Sequence, residues 1–365
     1  MDDIFDNNET IITNENLFSD FYIPEKLPSR EKEITEIAKV LKSVLNFQKS
    51  MNVALTGRPG TGKTIVSRYI LYKLKEKNEE IKTIYISCNE TMTFNSLLWN
   101  IIKNLSPEEK YSRFEDPRSK IDKLVNPMTV VVLDDLQKIV SRKELNSILF
   151  WSSRTFSNIV FIYIYSSDIT HKLDPDTLSS FKSSTKTVYF KSYSSEDLFK
   201  ILKFRTEKGL KKGAITEGQL RKIAAYVAKE SGDAREAIGI LRLAAEISEQ
   251  EGSNVVKDSH IEKAIESYVF GEWISKISTL SPTLKDVLLS YFLLFMDGRR
   301  VITPSDAYVK YKEISVKPVS YFWFSKYTTY LISEEFLKIE KTEKRKRYLT
   351  INVPEDVVKR VVEEM

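Results

Sequence analysis

A chain of 365 residues and 42.3 kDa is too long for one hydrophobic core and predicts two or three domains. Glycine and proline, at 11 residues each, exclude collagen-like and Gly/Pro-rich disordered chains, and the single cysteine, Cys88, excludes an intramolecular disulfide and fits a reducing compartment. The net charge is only +5, but residues 273–365 hold 16 Lys/Arg against 12 Asp/Glu, so +4 of it lies in the C-terminal quarter, as in a separate nucleic-acid-binding module or an ordinary solvated surface. The first ten residues are acidic where a secretory signal is basic, and the longest apolar run, 287–296, is about half a bilayer span. A soluble, intracellular, multidomain protein with no membrane partner is expected.

After a polar leader over 1–15, Ile34, Ile37, Val40, Leu41 and Leu45 at helical spacing predict a helix over 30–47. Residues 52–56 read as a short buried strand, followed by a glycine-rich turn and a helix over 64–77. A second strand is predicted at 82–87, a helix at 94–105 and a charged loop at 107–117. The run 129–133 is apolar without alternation, which marks a strand covered on both faces of a parallel sheet. Strands at 159–165 and 187–190 follow. Strands alternating with helices predict a doubly wound α/β base over 16–192. The pattern then turns purely helical, with helices over 196–208, 217–231, 234–251 and 259–268. Ser194, Ser195, Thr216 and Asp258 supply caps, and an α-helical lid over 193–271 is expected. The segment 272–365 reads helix (283–296), helix (304–312), helix (318–334) and two short strands around 341–347. That is the order of a winged helix-turn-helix.

The strongest motif is Gly57, Arg58, Pro59, Gly60, Thr61, Gly62, Lys63, Thr64, which matches G-x-x-x-x-G-K-[ST] in full between a predicted strand and a predicted helix. Its glycines let backbone N–H groups wrap a phosphate chain, and the helix start adds a favourable field. Lys63 is expected to reach the β- and γ-phosphates, and Thr64 to ligate Mg²⁺. Asp134 and Asp135 end the apolar strand 129–133, at the edge of the sheet where the phosphate loop emerges. Asp134 can hold the Mg²⁺ shell while Asp135 polarises the attacking water. ATP or ADP with Mg²⁺ is the expected cofactor set.

Further stretches carry a family resemblance: Tyr22-Ile-Pro-Glu-Lys-Leu-Pro-Ser-Arg-Glu31, Tyr85-Ile-Ser-Cys-Asn89, Leu173-Asp-Pro175, the segment 193–205, and Ser231-Gly-Asp-Ala-Arg-Glu-Ala-Ile238. With the two phosphate-site motifs, they make the chain from about residue 16 resemble the archaeal replication initiators of the Orc/Cdc type, AAA+ ATPases with a C-terminal winged helix. The Gly-Asp-Ala-Arg helix start is the most specific element. The resemblance implies that Arg235 senses the γ-phosphate from the lid. It also implies that Tyr22, Ile23, Pro24 and Arg30 surround the adenine, and that Tyr193 and Arg205 close the site from the base–lid junction. By the same resemblance, helix 94–105 takes the place of a DNA-touching insertion, and the winged helix is the main DNA-binding domain.

Three residues depart from the family pattern. Asp135 stands where glutamate is usual, Ser167 where the first sensor is usually asparagine, and Asp176 where arginine commonly follows Leu-Asp-Pro. A shorter general base, a shorter sensor and a reversed charge at an intersubunit position predict nucleotide binding with slow turnover. The candidate catalytic set is therefore Asp135, Ser167 and Arg235.

In helix 318–334 the expected core stripe is Val319, Phe322, Trp323 and Leu331. Ser320, Tyr321, Phe324, Ser325 and Lys326 are then left for a major groove. Aromatics cover so much of this helix that its faces stay open. Lys344, Arg345, Lys346 and Arg347, between apolar strands at 336–339 and 348–353, are expected in the wing, on phosphate or in a minor groove. His171, His260 and Cys88 have no second ligand at useful spacing and are expected to pack or face solvent. The leading reading is an origin-recognition ATPase at the nucleoid. It binds double-stranded DNA at origin repeats, hydrolyses ATP weakly as a switch, and works with a replicative helicase and other initiator paralogues. The rivals are a divergent paralogue that regulates replication with little or no hydrolysis, and a clamp-loader-like or transposition-type ATPase. The latter requires an intersubunit arginine that is not found after the fourth strand.

Overall fold

Two units make up the computed structural model, Met1–Ile261 and Glu262–Met365; it describes residues 10–19, 22–47, 51–110, 116–125, 128–154, 158–343 and 346–364. The first unit contains α1 (Glu31–Phe47), β1 (Asn52–Thr56), α2 (Lys63–Lys77), β2 (Lys82–Ser87), α3 (Phe94–Leu105), α4 (Pro117–Leu124), β3 (Thr129–Asp134), α5 (Arg142–Ser153), β4 (Ile159–Tyr165), α6 (Pro175–Ser184) and β5 (Thr185–Tyr189). Among the described residues its strands form one parallel sheet in the order β2-β3-β4-β1-β5. Alternate residues of each strand face opposite ways. Val130 and Val132 join Val53, Leu55, Ile162 and Val188 under α1 and α2. Val131 and Leu133 join Ala54, Phe161 and Tyr163 under α3, α5 and α6. With both faces covered, β3 carries the unbroken apolar run read in the sequence.

The register positions the site. Thr56 pairs with Tyr165 and Leu133 with Tyr163, so the C-terminal ends of β1, β4 and β3 lie side by side. The phosphate loop, Ser166–Ser167 and Asp134–Asp135 leave the sheet from that edge, where open α/β sheets place ligands. The fifth strand is displaced by two residues from its expected start, because parallel pairing with β1 runs from Asn52↔Thr185 to Thr56↔Tyr189. Three helices of the base are absent from the sequence-based expectation: α4, α5 and α6. The first buries only Ile121 and the last only Thr177 and Phe181, which is too little to set a period.

The lid consists of α7 (Ser195–Gly209), α8 (Glu217–Glu230) and α9 (Ala234–Gln250), with α10 (Asp258–Ser278) beginning in this unit. Ser194, Thr216 and Asp233 each cap a helix, with the cap side chain accepting from a first-turn N–H. The segment expected as a polar leader is not all in solvent. Ile11 is buried, Ile12 bridges antiparallel to Leu210, and a 3-10 turn at Glu15–Phe18 buries Leu17 and Phe18.

The second unit contains α11 (Pro282–Met296), α12 (Pro304–Ile314), α13 (Tyr321–Ser333), β6 (Leu337–Glu343), β7 (Lys346–Ile351) and α14 (Glu355–Glu364). Its core joins Val287, Tyr291, Phe292, Tyr311, Phe324, Leu331, Leu349 and Val357. Three helices followed by an antiparallel hairpin, with Ile302 bridged to Leu349, give the winged helix-turn-helix order. The last helix, α14, lies beyond the elements that the sequence pattern predicts.

The faces of α13 differ from expectation. Phe324, Thr328 and Leu331 are the buried stripe, whereas Phe322 and Trp323 are exposed. Phe324 is held by Tyr308 and Tyr311 with ring centroids 5.2 Å away, so it belongs to the core and not to a groove. The hairpin also reaches further than expected. Thr342 pairs with Arg347 and Glu343 with Lys346, which puts Lys346 and Arg347 in β7 itself. Lys344 and Arg345 lie outside the described residues.

Candidate nucleotide-binding site

The phosphate loop joins β1 to α2 and is shaped by glycines that have close neighbours. Gly60 has φ +69°, and a Cβ there would stand 1.8 Å from Cγ of Asp233. At Gly62, φ +87°, a Cβ would stand 2.4 Å from the Tyr193 hydroxyl. The lid therefore rests directly on the loop, and the N–H of Ala234 donates to Gly60 O at 3.3 Å.

Lys63 is 7% exposed and its Nζ donates to the carbonyls of Gly57 and Arg58, both at 2.7 Å. Loss of hydration pushes its pKa down to about 8, and Arg235 adds to this while Asp134, Asp135 and Asp233 oppose it. An anion arriving at Nζ favours the charged form and raises that pKa, so binding of a polyphosphate above pH 8 takes up a proton. We expect affinity for ATP to fall as pH rises through about 8, by at most tenfold per unit, with little dependence from this group below it. Calorimetric titration in buffers of different ionisation enthalpy checks this, and absence of proton uptake near pH 9 would refute it.

Asp134 is buried and accepts from three donors. Its Oδ2 accepts from Thr64 Oγ1 at 2.7 Å and from the Tyr85 hydroxyl at 2.5 Å, and its Oδ1 accepts from the Asp135 N–H at 2.8 Å. Burial, and then the carboxylate beside it, push the Tyr85 pKa up, so the phenol stays a proton donor. Arg68 lies over the Tyr85 ring at 4.5 Å. In the sequence Tyr85 contributes to the family resemblance without any role at the site. Its register in β2, one strand from β3, is what brings it to Asp134.

Asp135 has φ +61°, an uncommon conformation for a residue with a Cβ. Its carboxylate pairs with Lys138 at 2.7 Å and accepts from Gln137 Nε2 at 2.9 Å. Gln137 in turn accepts from the Ser166 N–H at 3.2 Å, linking the ends of β3 and β4. Ser167 is exposed just beyond that link. Asp176 lies exposed in the first turn of α6, where a negative charge suits the helix dipole.

Arg30 is a buried brace. It donates from Nε to Thr61 O at 3.0 Å, from Nη2 to Lys191 O at 2.7 Å, and from Nη1 to Glu33 at 2.7 Å. Its guanidinium lies 3.8 Å from the Tyr193 ring centroid, so Arg30 and Tyr193 are tied to the phosphate loop. Arg205 is buried elsewhere, donating to Leu17 O and lying 4.8 Å over Tyr22, and Pro24 is buried. The lid arginine, Arg235, is held on Asp233, with Nη2 to Oδ2 at 2.7 Å and Nε to Oδ1 at 3.3 Å, and its side chain is 54% exposed. Asp233 is legible in the sequence only as part of the Gly-Asp-Ala-Arg string, and its seat over Gly60 is a tertiary fact.

In the second unit Ser320 precedes α13 and makes no capping bond, Tyr321 and Lys326 are exposed, and Ser325 is half-buried. Lys346 and Arg347 are exposed on β7, with Arg347 donating to Thr329 on α13 at 3.2 Å.

A phosphate loop opening α2, a buried aspartate at the end of β3 bonded to the loop's threonine, and a helical lid that seats an Asp233–Arg235 pair at the loop define a P-loop ATPase of the AAA+ type. Residues 48–173 match the AAA domain and residues 199–266 match the Cdc6 AAA+ ATPase-type lid domain. The ORC1-type DNA replication protein of Pyrococcus furiosus is 30% identical over 327 residues, covering 83% of this chain and 76% of that protein. The ORC1-type DNA replication protein 1 of Sulfurisphaera tokodaii is 30% identical over 319 residues, covering 84% of this chain and 79% of that protein. The solved structure of the Aeropyrum pernix ORC1 protein in complex with DNA aligns over 98% of each chain, with a TM-score of 0.80 and 25% identity. The chain belongs to the ORC1-type DNA replication protein family.

Proposed function

We propose that this chain is an ATP-switched DNA replication initiator with a base over 16–192, a lid over 193–271 and a DNA-binding domain over 272–365. The observation that carries the reading is the seat of Asp233 on the phosphate loop, with Arg235 paired to it. Arg235 pairs with Asp233 across an exposed ion pair, so a γ-phosphate at the loop offers it a stronger anion, and nucleotide state then alters the contact between lid and loop. Lys63 would exchange the Gly57 and Arg58 carbonyls for the same phosphate. Tyr22, Pro24, Arg30, Tyr193 and Arg205 would frame the rest of the nucleotide.

Thr64 and Asp134 would hold Mg²⁺, which when bound neutralises charge on the phosphate oxygens. One hydroxyl and one buried carboxylate fit that ion, which takes most of its shell from phosphates and water, and no cluster of three or more His, Cys, Asp or Glu ligands occurs among the described residues. Asp135 would position the attacking water for conversion of ATP and water to ADP and phosphate. Its short arm is already engaged by Lys138 and Gln137, which supports slow turnover. The same engagement, with Asp176 in place of an arginine, favours as a second reading a DNA-binding regulator of replication with little or no hydrolysis.

Duplex DNA at origin repeats is the proposed macromolecular ligand, as in the Aeropyrum pernix relative solved with DNA. Ser320 before α13, with Tyr321, Ser325 and Lys326 on it, would meet one groove, and Lys346 and Arg347, with Lys344 and Arg345, the backbone beside it. Helix α3 would add Asn95, Asn100, Lys103 and Asn104, which lie along its less buried side. A replicative helicase and other initiator paralogues are the proposed protein partners, in the cytoplasm at the nucleoid. No helix among the described residues is long and apolar enough to cross a membrane.

Selection of sheared DNA from the source organism on the purified chain, at physiological salt with excess competitor, tests the reading. Enrichment of a few loci that share a repeat is expected. Uniform recovery that vanishes as salt rises would leave only non-specific affinity and overturn it.

A further inference from the structure

The N-terminal half of α13 exposes two large rings that its own core does not use. Phe322 is 62% exposed and Trp323 50%, and they meet edge to face at 5.8 Å. Phe324, Thr328 and Leu331 already fill the inner side of the helix. Lys326, one turn on, places its ammonium 4.7 Å from the Phe322 centroid and 4.9 Å from that of Trp323. Lys346 and Arg347 of the hairpin add positive charge, and Arg347 is bonded to Thr329 on the same helix. An apolar centre with a cationic surround complements a polyanion that displays apolar groups, and two such faces repel each other.

The hydrogen-bonding readers of a major groove are Arg or Lys for guanine, Asn or Gln for adenine, and Asp or Glu for cytosine. Between 321 and 333 the sequence has no Arg, Asn, Gln, Asp or Glu, and its one lysine, Lys326, lies against the Phe322 and Trp323 rings. The apolar feature of the major groove is the C5-methyl group of thymine, which aromatic side chains contact. We propose that Phe322 and Trp323 are the specificity residues of α13 and contact thymine methyl groups, so that the preferred site carries thymines where this helix lies. The proposal rests on the duplex-binding reading above. In it the wing cations contribute affinity without sequence preference, and the two rings contribute preference without charge.

The test is made on the full chain. A duplex recovered from a random-sequence pool as the tightest binder is remade with deoxyuridine in place of thymidine. That change removes each methyl and keeps every base pair and phosphate. Wild type is expected to bind the deoxyuridine duplex roughly four- to fifteen-fold more weakly, as for one or two buried methyl groups. Phe322→Ala and Trp323→Ala should bind the thymidine duplex more weakly and lose that discrimination, while Phe322→Leu, which keeps an apolar contact, retains part of it. Both rings are exposed, so unfolding temperatures should stay at the wild-type value. Arg347→Ala should weaken both duplexes equally and reduce the salt dependence. Equal wild-type affinity for the two duplexes would overturn the thymine contact and leave duplex binding standing. Unchanged DNA affinity in both alanine variants would also overturn it and assign the rings to a protein partner. Failure to bind any duplex would remove the DNA reading and this proposal together.

Discussion

Lys63→Ala is expected to weaken ATP binding by roughly thirty- to several-thousand-fold at pH 7, because removing one partner of a buried, charge-assisted hydrogen bond costs about 2–5 kcal/mol. The side chain is buried beside the phosphate loop with its Nζ on two loop carbonyls, so it is already within reach of any phosphate the loop holds. At pH 7 it carries its charge, since its lowered pKa of about 8 still lies above that pH. Without a ligand that charge sits in a poorly hydrated place, and a phosphate chain relieves this, which is why the effect falls on binding. Duplex DNA affinity, which we propose is carried chiefly by α13 and the hairpin, should stay within a few-fold of wild type when no nucleotide is present. Titration with a fluorescent ATP analogue, together with the rise in unfolding temperature that bound ATP confers, measures the change. A variant that binds ATP within a few-fold of wild type would remove Lys63 from the phosphate site. If origin-specific function survives without ATP binding, the regulator reading replaces the switch.

The second large effect is on folding. Gly57→Ala is expected to destabilise the first unit by about 3 kcal/mol or more, the sum of an unfavourable φ and a steric clash that cannot relax. Gly57 has φ +151°, and a Cβ there would stand 2.2 Å from the carbonyl oxygen of Phe190. That carbonyl belongs to backbone, and the Phe190 N–H is fixed to Thr56 O at 2.7 Å at the end of the β1–β5 ladder. Moving it breaks sheet pairing, so the strain is not shed by rotating a side chain. For a unit of this size the expected fall in unfolding temperature is about 6–12 °C. A fall of less than about 2 °C would mean that the loop and β5 separate easily. Gly60→Ala differs in kind, because its clash is with the side chain of Asp233. The lid can move away from the loop there without disturbing the sheet.

The strands are legible in the sequence where they are continuous apolar runs. The segments 52–56, 129–133 and 159–165 match β1, β3 and β4, since strands covered on both faces have few polar positions to blur their ends. Helix α5 is harder to see. Leu145, Ile148 and Leu149 mark its buried side, but Phe150 and Trp151 follow at once, so the apolar residues do not keep to one face. Helix α13 is legible as a helix and illegible as a surface. With aromatics at 321, 322, 323, 324, 327 and 330, no periodicity separates inside from outside. The choice is made by Tyr291, Tyr308 and Tyr311, which pack around Phe324 and leave Phe322 in solvent. The hairpin exceeds its expected length for a related reason. Strand β6 is exposed from Lys338 onward and β7 at Lys346 and Arg347, so the tip of the hairpin lacks the alternation that a half-buried strand shows.

The sequence by itself determined the phosphate loop, the acidic end of β3, the order of base, lid and winged helix, and with them the family. These are local properties: glycine torsions, a lysine and threonine at fixed offsets, and apolar periods within single elements. Only the tertiary structure decided which side chains meet. Tyr85 bonds to Asp134, Arg30 ties Thr61 to Lys191, and Asp233 settles over Gly60 with Arg235 on it. Apart from the local Asp233–Arg235 pair, those contacts join residues from different elements, and strand order, register and lid docking are set by burial summed over the whole core, which no local pattern records.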